Sequence, residues 1–273
     1  MKISTLFATL LLIHPFASAD WQGFRGTLGN GKIEGKISPD LNLTSSKSWN
    51  IALPGRGLSS PIIIDNLILV TASSGPQQSN LHILAYNVGN GVLAWERIFK
   101  ATGRTICHSK TSVAASTMVS NGNVVVAQFS SNDIFCLDLN GNLVWLRGLT
   151  FDYPNIANGL GMSSSPVMAK GVLIAQVEND ADSFTFGLNI QNGTTLWKKT
   201  RPRGANWTSP IVLDQNSDRW IGLQSKEGLT FINPSNGNEI WSYHKGASTI
   251  PSSVVAENKM VLIPSNGLTA VEE

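Results

Sequence analysis

The sequence predicts an all-β fold, a β-propeller built from four-stranded antiparallel blades, and three observations carry that expectation. The chain is 42% hydrophobic but only 14% charged, with 25 Gly and 12 Pro among 273 residues. Many short strands joined by tight turns give this profile, whereas long surface helices require far more Lys, Glu and Arg. A short phrase, Asn-Gly followed three residues later by Trp, occurs at Asn90-Gly91…Trp95, Asn140-Gly141…Trp145, Asn192-Gly193…Trp197 and Asn236-Gly237…Trp241. The Trp residues are spaced 50, 52 and 44 residues apart, the period of a four-stranded blade.

Taken in chain order, residues 1–19 read as an export signal. Lys2 supplies the positive start, Leu6 to Phe16 an apolar run, and Ala17-Ser18-Ala19 a small-x-small cleavage site. The run is too short to span a bilayer of about 30 Å, and no other stretch suggests a transmembrane segment. Residues 20–58 form an N-terminal segment in which Trp49 to Leu53 reads as a lone outer strand. Residues 59–273 hold the repeats.

Each repeat opens on a small hydroxyl pair: Ser59-Ser60, Ser116-Thr117, Ser164-Ser165, Thr208-Ser209 and Ser252-Ser253. A β-branched strand, a turn and a second strand follow. A third strand then ends at Asn87, Asp138, Asn189 or Asn233. Asn-Gly tolerates the positive φ of a tight hairpin, and the Trp that follows offers a flat face with one N–H donor. A single blade cannot bury both its faces, so Trp95, Trp145, Trp197 and Trp241 are expected to dock each blade on its neighbour. The count is four full blades plus a partial one. That is either an open arc, the favoured expectation, belonging to a larger propeller, or a ring of about five blades.

The motif x-Ala-x-Asn…Gly…Trp, as in Leu84-Ala85-Tyr86-Asn87…Gly91…Trp95, resembles the tryptophan-docking motif of the PQQ-like (pyrroloquinoline-quinone-enzyme-like) β-propeller repeat. The resemblance covers about residues 20–273. Asp20-Trp21-Gln22-Gly23-Phe24-Arg25-Gly26, Leu53 to Pro61 and Asn206 to Pro210 resemble a secreted bacterial subgroup of that family. The same repeat builds the quinoprotein alcohol dehydrogenases and the propeller lipoprotein of the bacterial outer-membrane assembly machine. The first implies redox chemistry, the second a non-catalytic scaffold.

The residues speak against the first. The dehydrogenases resembled use adjacent cysteines, a bound Ca²⁺ or lanthanide and an Asp base. Here Cys107 and Cys136 are the two cysteines, so PQQ and Ca²⁺ are disfavoured as cofactors. An exported chain permits a Cys107–Cys136 disulfide, and two buried thiols are an equal alternative. His82, His108 and His244 are dispersed along the mature chain and supply no local metal motif. Cys107-His108 is a weak nucleophile pair, and Glu178-Asn179-Asp180-Ala181-Asp182 is an oxygen-rich loop without the Gly and distal Glu of a Ca²⁺ loop. Ser163-Ser164-Ser165 lacks a nucleophile elbow.

No catalytic, cofactor or metal residues are therefore expected. A formal net charge of +2, with charges scattered, argues against a nucleic-acid partner. The expected function is an exported, periplasmic or secreted scaffold. It binds an unknown protein or peptide through rim loops, chiefly Ser73 to Asn80, Lys100 to Thr111 and Phe151 to Met162. The alternative is a quinoprotein dehydrogenase-like enzyme whose active-site blades are missing or degenerate.

Overall fold

The computed structural model describes residues 20–33, 48–156, 159–215, 218–256 and 260–272. The signal-peptide reading of residues 1–19 lies outside them. Four four-stranded antiparallel meanders and one three-stranded meander follow one another along the chain. The first holds β1 (Ile62–Ile64), β2 (Leu67–Ser74), β3 (Asn80–Asn87) and β4 (Leu93–Lys100). The second holds β5 (Val119–Ser120), β6 (Val124–Gln128), β7 (Asp133–Asp138) and β8 (Leu143–Gly148). The third holds β9 (Val167–Ala169), β10 (Val172–Val177), β11 (Phe184–Asn189) and β12 (Thr195–Thr200). The fourth holds β13 (Ile211–Gln215), β14 (Asp218–Ser225), β15 (Gly228–Ile232) and β16 (Glu239–Tyr243), and the fifth β17 (Val254–Val255), β18 (Val261–Ser265) and β19 (Gly267–Val271). Among the described residues helix is confined to a 3-10 turn at Pro76–Gln78 and one turn, α1, at Leu149–Asp152.

Face-to-face stacking of the sheets explains the hydrophobic pattern. Middle strands such as β10 and β15 are buried at every position, because neighbours cover both faces of the sheet. Within β6, Val125 and Ala127 pack toward the first sheet, and Val126 toward the third. Alternate side chains leave a strand on opposite faces, so one short apolar run serves two interfaces. The next interface joins Ile174 and Trp197 to Ile221 and Leu223, and the last joins Leu229 and Phe231 to Val261 and Ile263. Among the described residues no strand pairing links the fifth sheet to the first.

Trp95, Trp145 and Trp197 each dock on the next unit's Asn-Gly turn, whereas Trp241 makes no such contact among the described residues. Trp95 Nε1 donates to the Leu139 carbonyl at 2.8 Å, Trp145 to Ile190 at 2.7 Å and Trp197 to Pro234 at 2.8 Å. The indole lies flat on the turn glycine. A Cβ built at Gly141, Gly193 or Gly237 would sit 2.7 Å from the ring, and all three glycines have positive φ. Glycine is thus required twice over, by backbone angle and by ring contact. The Asx that ends the third strand fixes the turn. Asp138, Asn189 and Asn233 each accept, through Oδ1, the N–H two residues on.

Trp49 corrects one expectation. It makes the same contact, donating to the Val88 carbonyl at 3.0 Å with its ring against Gly91, but residues 48–53 form no strand. A strand needs a paired neighbour, and no described strand runs beside this segment. Of the two alternatives open for the cysteines, the structure has the free thiols. Cys136 is buried between the second and third sheets, whereas Cys107 packs against the interface of the first and second, so the two side chains face different interfaces.

Candidate functional site: a loop-built face

In an antiparallel meander the β2–β3 connection and the crossing to the next blade emerge at one end of the sheets, and the other two turns at the opposite end. The three segments singled out in the sequence are all of the first kind, and the structure ties them into one surface. Gln78 Nε2 donates to Cys107 Sγ at 3.5 Å, and Gln78 Oε1 accepts from Ser112 Oγ at 3.0 Å and from the Val113 N–H at 3.1 Å. The His108 N–H donates to the Leu160 carbonyl at 3.0 Å, and Met162 N–H to Ser130 Oγ at 2.8 Å. Trp207 Nε1 then donates to the Gly161 carbonyl at 2.9 Å, while its backbone N–H donates to Thr249. The chain of contacts crosses four units without a gap.

Exposed apolar and cationic groups share this face. Ile106 is 51% exposed, Leu160 46% and Ile250 70%, and Arg104, Lys110 and Arg203 are exposed beside them. Apolar anchors held by loops on rigid sheets form a surface suited to a polypeptide.

Beneath the loops, the hydroxyl pairs have a definite task. The Ser60 N–H donates to Thr117 Oγ1, Thr117 to Ser165 Oγ, Ser165 to Ser209 Oγ and Ser209 to Ser252 Oγ, at 2.9–3.0 Å. One hydroxyl per unit therefore satisfies the first N–H of the preceding unit's inner edge. Gln224 Oε1 accepts from the Ser253 N–H and hydroxyl at 2.7 Å. At the equivalent place beyond Gln176 stands Pro210, which has no N–H, and Gln176 Oε1 meets no donor among the described residues.

The remaining candidates are structural. Glu178 turns inward, accepting from Arg201 Nε and Asn206 Nδ2 at 2.7 Å each. Asn179 Oδ1 accepts from the Ala181 N–H and its Nδ2 donates to the Asp182 carbonyl, which fixes the turn of the oxygen-rich loop. Among the described residues no group of three or more His, Cys, Asp and Glu could hold a metal. His108 Nδ1 accepts from the Lys110 N–H, while the Cys107 thiol accepts from Gln78. The two cysteines do not approach each other, so they do not fit the adjacent pair of the quinone enzymes. Burial pushes the Cys136 thiol up to about 12, which keeps it protonated and inert.

Trp241, in the fourth unit, lines an apolar cleft of about 210 Å³ with Leu213, Trp220, Val261 and Val271. Its partner across the strand pair is Phe231, where Trp197 faces Gly187 and Trp95 faces Ala85. Trp241 is 36% exposed. The cleft lies between the fourth and fifth sheets and belongs to blade packing.

Sequence reasoning missed the path of residues 20–31. Trp21 pairs with Ile63, Gln22 O accepts from the Ser120 N–H, and Arg25 Nη1 reaches the Ser253 carbonyl at 3.2 Å. This segment thus touches the first, second and fifth units. Its only sequence signal is a run of glycines and single aromatics, which says nothing about distant partners.

A profile of the protein family described as outer membrane protein assembly factor BamB matches residues 43–175 and 156–267. The chain is 24% identical over 213 residues to the outer membrane protein assembly factor BamB of Alkalilimnicola ehrlichii, covering 77% of this chain and 49% of that one. It is 21% identical over 263 residues to the protein of the same name from Moranella endobia, covering 81% and 63%. It spans about half the length of the curated relatives it matches. Among solved structures it is similar to quinohemoprotein alcohol dehydrogenase from Comamonas testosteroni, with TM-score 0.68, 14% identity, and 93% of this chain and 47% of that one covered. It is also similar to BamB from Moraxella catarrhalis, with TM-score 0.51, 14% identity, and 81% and 65% covered. Both structural likenesses concern the fold.

Proposed function

The chain belongs to the PQQ-like propeller repeat family whose profile is described as outer membrane protein assembly factor BamB, and from that premise we propose that it is a protein-binding scaffold of the bacterial envelope, exported to the periplasm. The continuous loop face carries this reading. It joins three connections that are far apart in sequence, and it sets Ile106 and Leu160 among Arg104, Lys110 and Arg203. Dehydrogenase chemistry gains no support from the residues, because the likeness to quinoprotein enzymes rests on fold and fold does not fix function.

A photo-crosslinking residue placed singly at Ile106, Leu160 or Asn236 tests the proposal in a bacterial envelope. Asn236 lies on a turn at the opposite end of the sheets. Discrete protein adducts are expected from Ile106 and Leu160 and not from Asn236. Adducts from Asn236 alone, or none from the loop face, would overturn it. Saturable binding of quinone with Ca²⁺ to the full chain would restore the dehydrogenase reading.

A further inference from the structure

One side-chain chain on the first blade is arranged for chemistry that no binding role requires. Ser74 ends β2, His82 lies on β3 and Glu96 on β4. Their positions are diagonal neighbours across antiparallel pairs, so the three side chains share one face of the sheet. Ser74 Oγ lies 2.7 Å from His82 Nε2, and His82 Nδ1 lies 2.8 Å from Glu96 Oε1. An ionised carboxylate can only accept, so Nδ1 carries the proton and Nε2 is left as the acceptor of the Ser74 hydroxyl hydrogen. That is the tautomer a general base needs. His82 is 4% exposed, so water does not compete for its ring, whereas Ser74 is only half-buried and adjoins the exposed Gly75-Pro76-Gln77 turn.

A fourth group completes the arrangement. Asn80 Nδ2 donates to Ser74 Oγ at 3.4 Å, and Lys100 Nζ donates to Asn80 Oδ1. The Lys contact orients the amide with its NH₂ toward Ser74 and polarises it, as a side-chain oxyanion donor requires. Gly75 makes room, since a Cβ there would lie 2.7 Å from Asn80 Nδ2. The turn itself is constrained: Gln77 and Gln78 both have positive φ, held by the Gln78 bonds to Ser112 and Val113. Such outliers concentrate at functional sites.

We propose that Ser74 is a nucleophile activated by His82 and Glu96, and that it accepts acyl groups from small esters. Ser74 Oγ adds to the ester carbonyl carbon as its proton passes to His82 Nε2. The oxyanion is met by Asn80 Nδ2–H. Collapse breaks the bond to the leaving alkoxide, which takes the proton from His82. Water then attacks the acyl-serine with His82 again as base, releasing a carboxylic acid and restoring Ser74. The motif is absent from local sequence patterns because its members are brought together only by strand register. It stands independently of the scaffold reading.

The test is reaction of the folded full chain with a fluorophosphonate, with the adduct mapped by peptide mass spectrometry. Phosphonylation is expected at Ser74 in folded protein, absent in Ser74→Ala and lost in urea. His82→Ala and Glu96→Gln are each expected to label about 100-fold more slowly. His82 is buried and its removal can disturb folding, so Glu96→Gln, which keeps the side chain's shape, is decisive. Slow labelling in a Glu96→Gln protein that melts like the parent supports the relay. Labelling at the parental rate, or no adduct at Ser74 in folded protein, overturns it.

Discussion

Trp145→Ala isolates what blade docking contributes. Trp145 is 8% exposed, packs with Phe186, Leu188 and Ile190 of the third unit, and donates to the Ile190 carbonyl at 2.7 Å. Truncating such a buried ring costs roughly 3–5 kcal/mol through lost burial and the cavity left behind. For a chain of this size, each kcal/mol lowers the melting temperature by about 2–4 °C. Trp145→Phe keeps most of the apolar ring but removes the N–H, so a loss of about 1–2 kcal/mol is expected. Trp241 occupies the equivalent place in the repeat but is 36% exposed. Trp241→Ala should therefore cost under about 2 kcal/mol. Urea unfolding followed by far-ultraviolet circular dichroism gives all three values. Equal losses for Trp145→Ala and Trp241→Ala would refute the argument, because the two rings would then stabilise through something other than seating on a turn.

Three further outcomes follow from buried polar groups. Gln224→Ala removes four hydrogen bonds, to the Ser248 and Pro251 carbonyls and from Ser253, whereas Gln128→Ala removes one at 3.3 Å beside an oxygen that meets no donor among the described residues. Gln224→Ala should be less stable than Gln128→Ala by about 2 kcal/mol in urea unfolding, and equal losses would contradict the bonding pattern. Arg201→Met strands the 2%-exposed Glu178 and should cost about 3–5 kcal/mol, much of it regained when Glu178→Leu is added. A thermal-melt double-mutant cycle checks this, and a double variant no better than Arg201→Met counts against it. Cys136, pushed up to about 12 by burial, should resist iodoacetamide at mildly alkaline pH while Cys107 reacts. The folded value lies above the unfolded one, so the thiol's stabilising contribution is full below the ordinary thiol range and is lost as pH rises toward about 12. Prompt alkylation of Cys136 in folded protein would contradict its burial.

The repeat unit was legible because its determinants are local. Asn-Gly, the preceding Asx and the following Trp lie within one hairpin, where spacing and backbone preference speak for themselves. What each Trp touches was legible only as a requirement that blades stack, since the receiving turn lies some 37–45 residues onward. The hydroxyl pairs were visible as a recurring phrase, but their ladder joins the inner edges of successive units and has no signature within a single one. Trp49 shows the limit from the other side. Its side chain obeys the docking pattern, yet the backbone around it forms no strand, because a strand is a property of two segments and the phrase describes one.

Ser74, His82 and Glu96 were invisible for a stricter reason. Their alignment depends on the register Ala72↔His82 and Leu84↔Glu96, and a shift of one residue would turn each side chain to the other face. The β3–β4 half of that register follows the bulge between Ala85 and Tyr86, beside which Trp95 faces Ala85 and seats on Gly141, and the β2–β3 half runs without a shift. The docking element that makes the fold repetitive thus shares its strand pair with the contact between His82 and Glu96. In the third unit the same register puts Phe184 in the place of His82, opposite Val177, and the pair builds structure instead. Identical backbones thus supply the geometry, and single side chains decide whether a blade only packs or also carries reactive groups.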